Sequence, residues 1–94
     1  MIHIEHEEEN SKGRWIALNY GEEAGEMTYS VAGDDKIIID HTFVSDDFKG
    51  QGIGAKLLEA AVDYVKAHDL KIIPLCPYVK SRFDKDTELQ SLLY

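Results

Sequence analysis

The stretch from Lys36 to Gly54, KIIIDHTFVSDDFKGQGIG, constrains this chain more than any other. An apolar, β-branched run feeds a glycine-rich turn that opens directly into a helical pattern. In Phe48-Lys49-Gly50-Gln51-Gly52-Ile53-Gly54 three glycines alternate with other residues, so the backbone can take left-handed angles and bring several N–H groups to one anion. From Ile53 the apolar residues fall at Ile53, Leu57, Leu58, Ala61, Tyr64 and Val65, near a 3.6-residue period, leaving Glu59, Asp63 and Lys66 for solvent. The N–H groups of the turn therefore stand at the positive end of a helix that should stop near His68-Asp69. Strand, glycine turn and helix N-terminus together make a phosphate cradle.

The residues on either side place this cradle in a sheet. Met1 to Glu7 alternates Ile2 and Ile4 with polar residues, as a half-buried strand does. The polar run Glu8 to Gly13 reads as a turn, Arg14 to Asn19 as a second strand, Ala24 to Val31 as a third and Lys36 to Val44 as a fourth. Connections this short favour an antiparallel meander. Leu70 to Leu75 follows a strand and a helix, and that order makes it a parallel neighbour of the fourth strand through a right-handed crossover. Pro74 and Pro77 remove ladder donors at its end, so the fourth and fifth strands should splay around Phe43 and Val44. Short helices are expected at Val79 to Asp84 and Glu88 to Leu93. The fold class is a mixed α/β sheet: meander, crossover helix, parallel fifth strand and short C-terminal helices.

With 94 residues, 44% of them apolar, the chain suits one small domain over residues 1–94. Its net charge of −8 is unevenly spread: residues 1–47 carry −9 and residues 48–94 carry +1. The anion cradle lies in the half that tolerates anions, and the acidic half either suits a cationic partner or simply keeps a small protein soluble. A basic stripe is missing, so nucleic acid is not expected. A lone cysteine with no leader and no long apolar span points to a cytoplasmic protein without a membrane partner.

Three phosphate motifs compete for the glycine turn. A Walker A loop needs a Gly-Lys-Ser/Thr run at a spacing this chain lacks. The dinucleotide fingerprint is met by Gly50, Gly52 and Ala55, but the next strand ends in Leu75-Cys76 with no acid for a ribose, and 94 residues cannot hold that fold. The third is Arg or Gln, two residues, Gly, one residue, Gly or Ala. Lys49-Gly50-Gln51-Gly52-Ile53-Gly54 fits it with Lys for Arg, and Val44 stands five residues earlier. In this the chain resembles the GCN5-related N-acetyltransferases. His41-Thr42-Phe43-Val44 and Pro74-Leu75-Cys76-Pro77-Tyr78 look like signatures of the very small subgroup of that family. Asp46-Asp47 departs from the family's usual Pro-Glu pair, and Lys49 offers a point charge where Arg offers a planar fork.

The resemblance implies acetyl-coenzyme A as cofactor, its diphosphate on Lys49, Gly50, Gln51, Gly52, Ile53 and Gly54 and its pantetheine arm between strands four and five, beside Phe43, Val44, Cys76 and Tyr78. A backbone N–H at the splay can steady the oxyanion formed when an amine attacks the thioester. Cys76 is a candidate to take the acetyl group on its sulfur, or a small buried apolar residue. His41 is the candidate general base, since imidazole titrates near physiological pH, and alternation puts it on the face of Ile39 and Phe43; Glu26 acting through water is the other. Tyr78 either protonates the departing thiolate or packs on pantetheine. Of Lys80, Arg82 and Lys85, Arg82 is singled out as a contact to the cofactor. His3 and His6 fall on opposite faces of a strand, so no metal is assigned. The implied function is acetyl transfer from acetyl-coenzyme A to an amine, directly or through Cys76, and the acidic half favours a cationic one. The alternative is a coenzyme A-binding regulatory or sensing module without turnover.

Overall fold

The first hairpin turns in two residues. Asn10 and Ser11 take φ of 54° and 66°, a pair of left-handed residues whose turn matches the twist of the flanking strands. Most of the expected loop at Glu8 to Gly13 is therefore strand: β1 spans Ile2–Glu9 and β2 spans Lys12–Asn19. Tyr20 and Gly21 repeat the device, and β3 runs from Glu22 to Ala32. β4 covers Lys36–Val44, a short 3-10 turn covers Asp46–Phe48, and α1 covers Ile53–Ala67. In this computed structural model, which describes all residues 1–94, β5 is confined to Lys71–Pro74 and lies parallel to β4. The sheet order is β1-β2-β3-β4-β5, with the first four strands antiparallel.

Helix α2 spans Pro77–Lys85 and α3 spans Thr87–Gln90. The expected terminal helix over Glu88 to Leu93 is thus cut short. Instead the chain end comes back as a bridge from Leu93 to Ile72, with Ile72 N–H donating to the Leu92 carbonyl and Tyr94 N–H to the Ile72 carbonyl. Those bonds cover the free edge of β5, which would otherwise present unpaired backbone groups.

One face of the sheet holds the core. Ile53, Leu57, Leu58, Ala61 and Val65 are buried, the stripe the helical period predicts, and they pack with Trp15, Met27, Tyr29, Ile37 and Ile39. Val79 and Phe83 of α2 join the same cluster. The other face carries Glu5, Glu7, Arg14, Glu26, His41 and Phe43 and has no helix over it, so the molecule is two layers thick, 34 × 31 × 20 Å.

A bulge in β4 decides which side chains reach the helix layer. Thr28 lies opposite His41 while Tyr29 lies opposite Ile39, so Asp40 is an extra residue. A one-residue insertion flips every later side chain to the other face. Ile37 and Ile39 point at the helices before the bulge; after it Thr42 and Val44 do, and His41 and Phe43 are exposed on the open side. This corrects the expectation that His41 shares the face of Ile39.

Candidate functional site: a cleft between a splayed sheet and a glycine turn

β4 and β5 part after the pair Ile39 and Pro74. The Leu75 and Cys76 N–H groups both donate to the Ile39 carbonyl at 3.0 Å, which turns the chain out of the sheet. Residues 40–44 of β4 then run on without β5 beside them. Ser45 N–H donates to the Ala24 carbonyl on the β3 side at 2.8 Å; backbone groups alternate along a strand, so the Val44 amide faces the gap. This is the splay the two prolines predict.

The glycine turn closes one end of the gap. Gly50 and Gly52 have φ of 82° and 74°, angles at which an L side chain is strained. Gly52 precedes α1 and offers no side-chain cap. The first helical bond is Lys56 N–H to the Gly52 carbonyl, so the N–H groups of Ile53, Gly54 and Ala55 have no acceptor within the helix. They are the donors an anion would take up. A side chain at Gly54 would stand 3.0 Å from the Tyr78 ring, which packs across the first turn of α1.

Between turn and splay lies a cleft of about 380 Å³. Of the residues expected at a cofactor site, Val44, Lys49, Gly50, Gly52, Ile53, Gly54, Tyr78 and Arg82 line it. Phe43, 51% exposed, is on the other face, and Gln51 points to solvent. Cys76 is only 4% exposed and sits behind the wall, its thiol donating to Thr42 Oγ1 at 3.2 Å. Thr42, Phe48 and Ala55 also line the cleft and were missed by sequence reasoning. The 3-10 turn that seats Phe48 has no periodic signature, and only the bulge turns Thr42 inward.

Charges around the cleft are partly self-neutralised. Lys49 Nζ lies 2.9 Å from Asp46 Oδ1, and its hydrogen bond and charge hold the Asp46 carboxyl below the usual range. The acid beside the anion turn is thereby paired. On the open face Glu26 accepts from Arg14 at 2.9 Å, with Glu7 and Glu23 at 3.1 and 3.3 Å from the same guanidinium. These bonds, Glu26 first, raise the Arg14 pKa further, and they occupy the Glu26 carboxylate. A broader depression of about 580 Å³ on that face is lined almost wholly by polar and charged residues, the Arg14–Glu7 ion pair and the Thr28–Asp40 hydrogen bond among them, and lacks the apolar walls and the helix-capping turn of the cleft. His6 lies on the helix side, stacked on Trp15 at 5.1 Å, while His3 pairs with Glu5 on the open side.

A two-layer α/β domain whose sheet splays beside a helix-capping glycine turn is the fold of the GCN5-related N-acetyl-transferases. The sequence pattern of the GCN5-related N-acetyl-transferases matches residues 14–92, and the chain belongs to that family. Among similar proteins, NATD1 of Xenopus tropicalis is 30% identical over 92 residues, spanning 98% of this chain and 83% of that protein. The solution structure of a GCN5-like protein from Staphylococcus aureus superposes with a TM-score of 0.69 at 33% identity, covering 96% of this chain and 87% of that one. A GNAT family acetyltransferase from Elizabethkingia anophelis with acetyl-CoA bound shares the fold at a TM-score of 0.61 and 23% identity, over 68% of this chain and 42% of that one.

Proposed function

We propose that the protein transfers an acetyl group from acetyl-coenzyme A to an amine. The observation that carries this reading is the continuity of one cleft, from three unpaired helix N–H groups to a strand edge with no neighbour. The residues present fit an elongated diphosphate ester. Ile53, Gly54 and Ala55 offer N–H groups, Lys49 and Arg82 offer positive charge, and Phe48, Ile53 and Tyr78 offer apolar walls. Bound there, acetyl-coenzyme A supplies an activated acyl carbon.

The chain's own part is to orient and to stabilise. The Val44 amide faces the gap and is the N–H best placed for a developing oxyanion. Because His41 stands on the open face of the same strand segment, the acceptor approaches through the splay from that side, opposite the helices. On that face Glu7, Glu23 and Glu26 outnumber the one Arg14 guanidinium they share, and that excess, with Glu5, favours a cationic amine. With Cys76 shut behind Thr42, direct attack by the amine is the route the geometry favours.

The test is calorimetry with acetyl-coenzyme A followed by release of free thiol with polyamines and lysine-bearing peptides. Micromolar binding with amine-dependent thiol release is expected. Binding without release for any amine would indicate the sensing module instead, and no binding would defeat both. Mass spectrometry after acid quench, without an amine, should find no acetyl on Cys76; a gain of one acetyl there would establish the route through sulfur.

A further inference from the structure

The bulge at Asp40 brings one hydroxyl into the cleft, at the end away from the anion turn. We propose that Thr42 is a catalytic residue, donating its hydroxyl hydrogen to the coenzyme A sulfur as the thioester bond breaks, with Cys76 as the positioning residue behind it. The inference rests on the acetyl-transfer reading of the cleft.

The direction of the cleft comes first. Its anion donors are at Ile53 to Ala55, Val44 is the next lining residue along β4, and Thr42 stands two residues further, about 7 Å at the rise of a strand. An elongated donor anchored by its diphosphate at the turn therefore brings its reacting end toward Thr42, where β5 has already left the sheet. Polar side chains at that end are few. Tyr78 lies across Gly54, at the anion end, and Val44, Phe48 and Ile53 are apolar.

Hydrogen-bond accounting then orients the hydroxyl. The Cys76 thiol donates to Thr42 Oγ1 at 3.2 Å and so occupies a lone pair of that oxygen. Cys76 is itself held by its N–H bond to the Ile39 carbonyl and is 4% exposed. A β-branched side chain on a strand has little χ1 freedom, so Oγ1 keeps its place between Cys76 and the cleft, and its own hydrogen, free to rotate, is left for an acceptor in the cleft.

In the reaction the amine nitrogen forms a bond to the acetyl carbon and the carbon–sulfur bond breaks, its electron pair leaving on sulfur. Thr42 stabilises that thiolate by a charge-assisted hydrogen bond and stays protonated. The amine's surplus proton goes to water or a base on the open face, and sulfur takes a proton from solvent.

A readout that needs no acceptor tests this. Coenzyme A carrying ¹³C next to its sulfur is titrated with pH in its complex with the protein, and the carbon's NMR shift reports ionisation of the thiol. In the wild-type complex the thiol should be about tenfold more readily ionised than in free coenzyme A, the effect of one hydrogen bond to a charge. Thr42→Val, which keeps the branched shape, should return it to the free value, and Thr42→Ala gives the same comparison should the valine variant misfold. Thr42→Ser should keep the wild-type value. In turnover, Thr42→Val should lower kcat with little change in KM for acetyl-coenzyme A. A wild-type complex ionising like free coenzyme A, or no difference between wild type and Thr42→Val, would overturn the role of Thr42 while leaving acetyl transfer standing. Failure of coenzyme A to bind at all would overturn both.

Discussion

Gly52 shows what a single residue contributes to the cradle. At a φ of 74° it turns the chain into α1 and lets the first three N–H groups of the helix face outward. Gly52→Ala meets no steric obstacle beyond the backbone itself, so its cost is that of a left-handed L residue, about 1 kcal/mol. Urea denaturation should show that loss, and calorimetry should show acetyl-coenzyme A binding weakened by about tenfold as the turn relaxes. A second residue-scale feature lies at the far end of the same helix. The Tyr29 hydroxyl donates to Glu8 Oε1 at 2.6 Å and lies 2.6 Å from His6 Nε2, so neutral His6 must carry its hydrogen on that nitrogen. Burial, opposed in part by the Glu8 charge, holds the His6 pKa below 6.5, and the Tyr29 hydrogen bond holds that of Glu8 below 4.5. Both are depressed, so the unfolded chain binds more protons. The His6 contribution to stability is complete above pH 6.5 and is lost as pH falls through the folded value; that of Glu8 is lost below about pH 4.5. The urea midpoint should therefore fall between pH 7.5 and 5.5, with a shallower slope in His6→Gln.

At the scale of elements, β4 does two jobs that a regular strand could not combine. Ile37 and Ile39 anchor it to α1, and Thr42 and Val44 line the cleft on the same side of the sheet, although the two pairs differ in parity. The extra residue Asp40 reconciles them. Deleting Asp40 would remove the bulge without changing any facing, because Ile39, Thr42 and Val44 then alternate regularly with His41 and Phe43. We expect the deletion to lower the melting temperature by a few degrees, through loss of the local twist and of the Thr28–Asp40 bond, and to leave acetyl-coenzyme A binding detectable, both measurable by thermal shift with and without ligand. The strands, the helix and the glycine turn were legible because each has a local cause: period two, period 3.6, or a backbone angle only glycine takes easily. The bulge was not. KIIIDHTFV reads as one uninterrupted strand, and the insertion is defined only against β3.

The whole molecule is a half-sandwich, with helices on one face of the sheet and charge on the other. No helix is long and apolar enough to cross a membrane. All of the net negative charge comes from residues 1–47, which carry −9 against +1 for the rest, and which build β1 to β4 and so supply the open face. The acetyl donor and cationic acceptor we propose would then meet from opposite sides of one splay, the donor on the half with the helix dipole and the acceptor on the half with the carboxylates. Attraction over such a face is screened within about 8 Å at physiological salt. Raising sodium chloride from 50 to 500 mM should therefore raise KM for a polyamine severalfold while changing KM for a neutral-chain monoamine far less, in steady-state thiol-release assays.

By itself the sequence determined the order of elements, the parallel fifth strand, the glycine cradle and the family, because these follow from patterns confined to a few neighbouring residues. Only the tertiary structure decided which side chains enter the cleft. That depended on one unpaired residue in β4, which exchanged His41 and Phe43 for Thr42 and Val44, and on the packing that set Cys76 behind the wall. Facing is a relation between strands, and register across a sheet is written in neither strand alone.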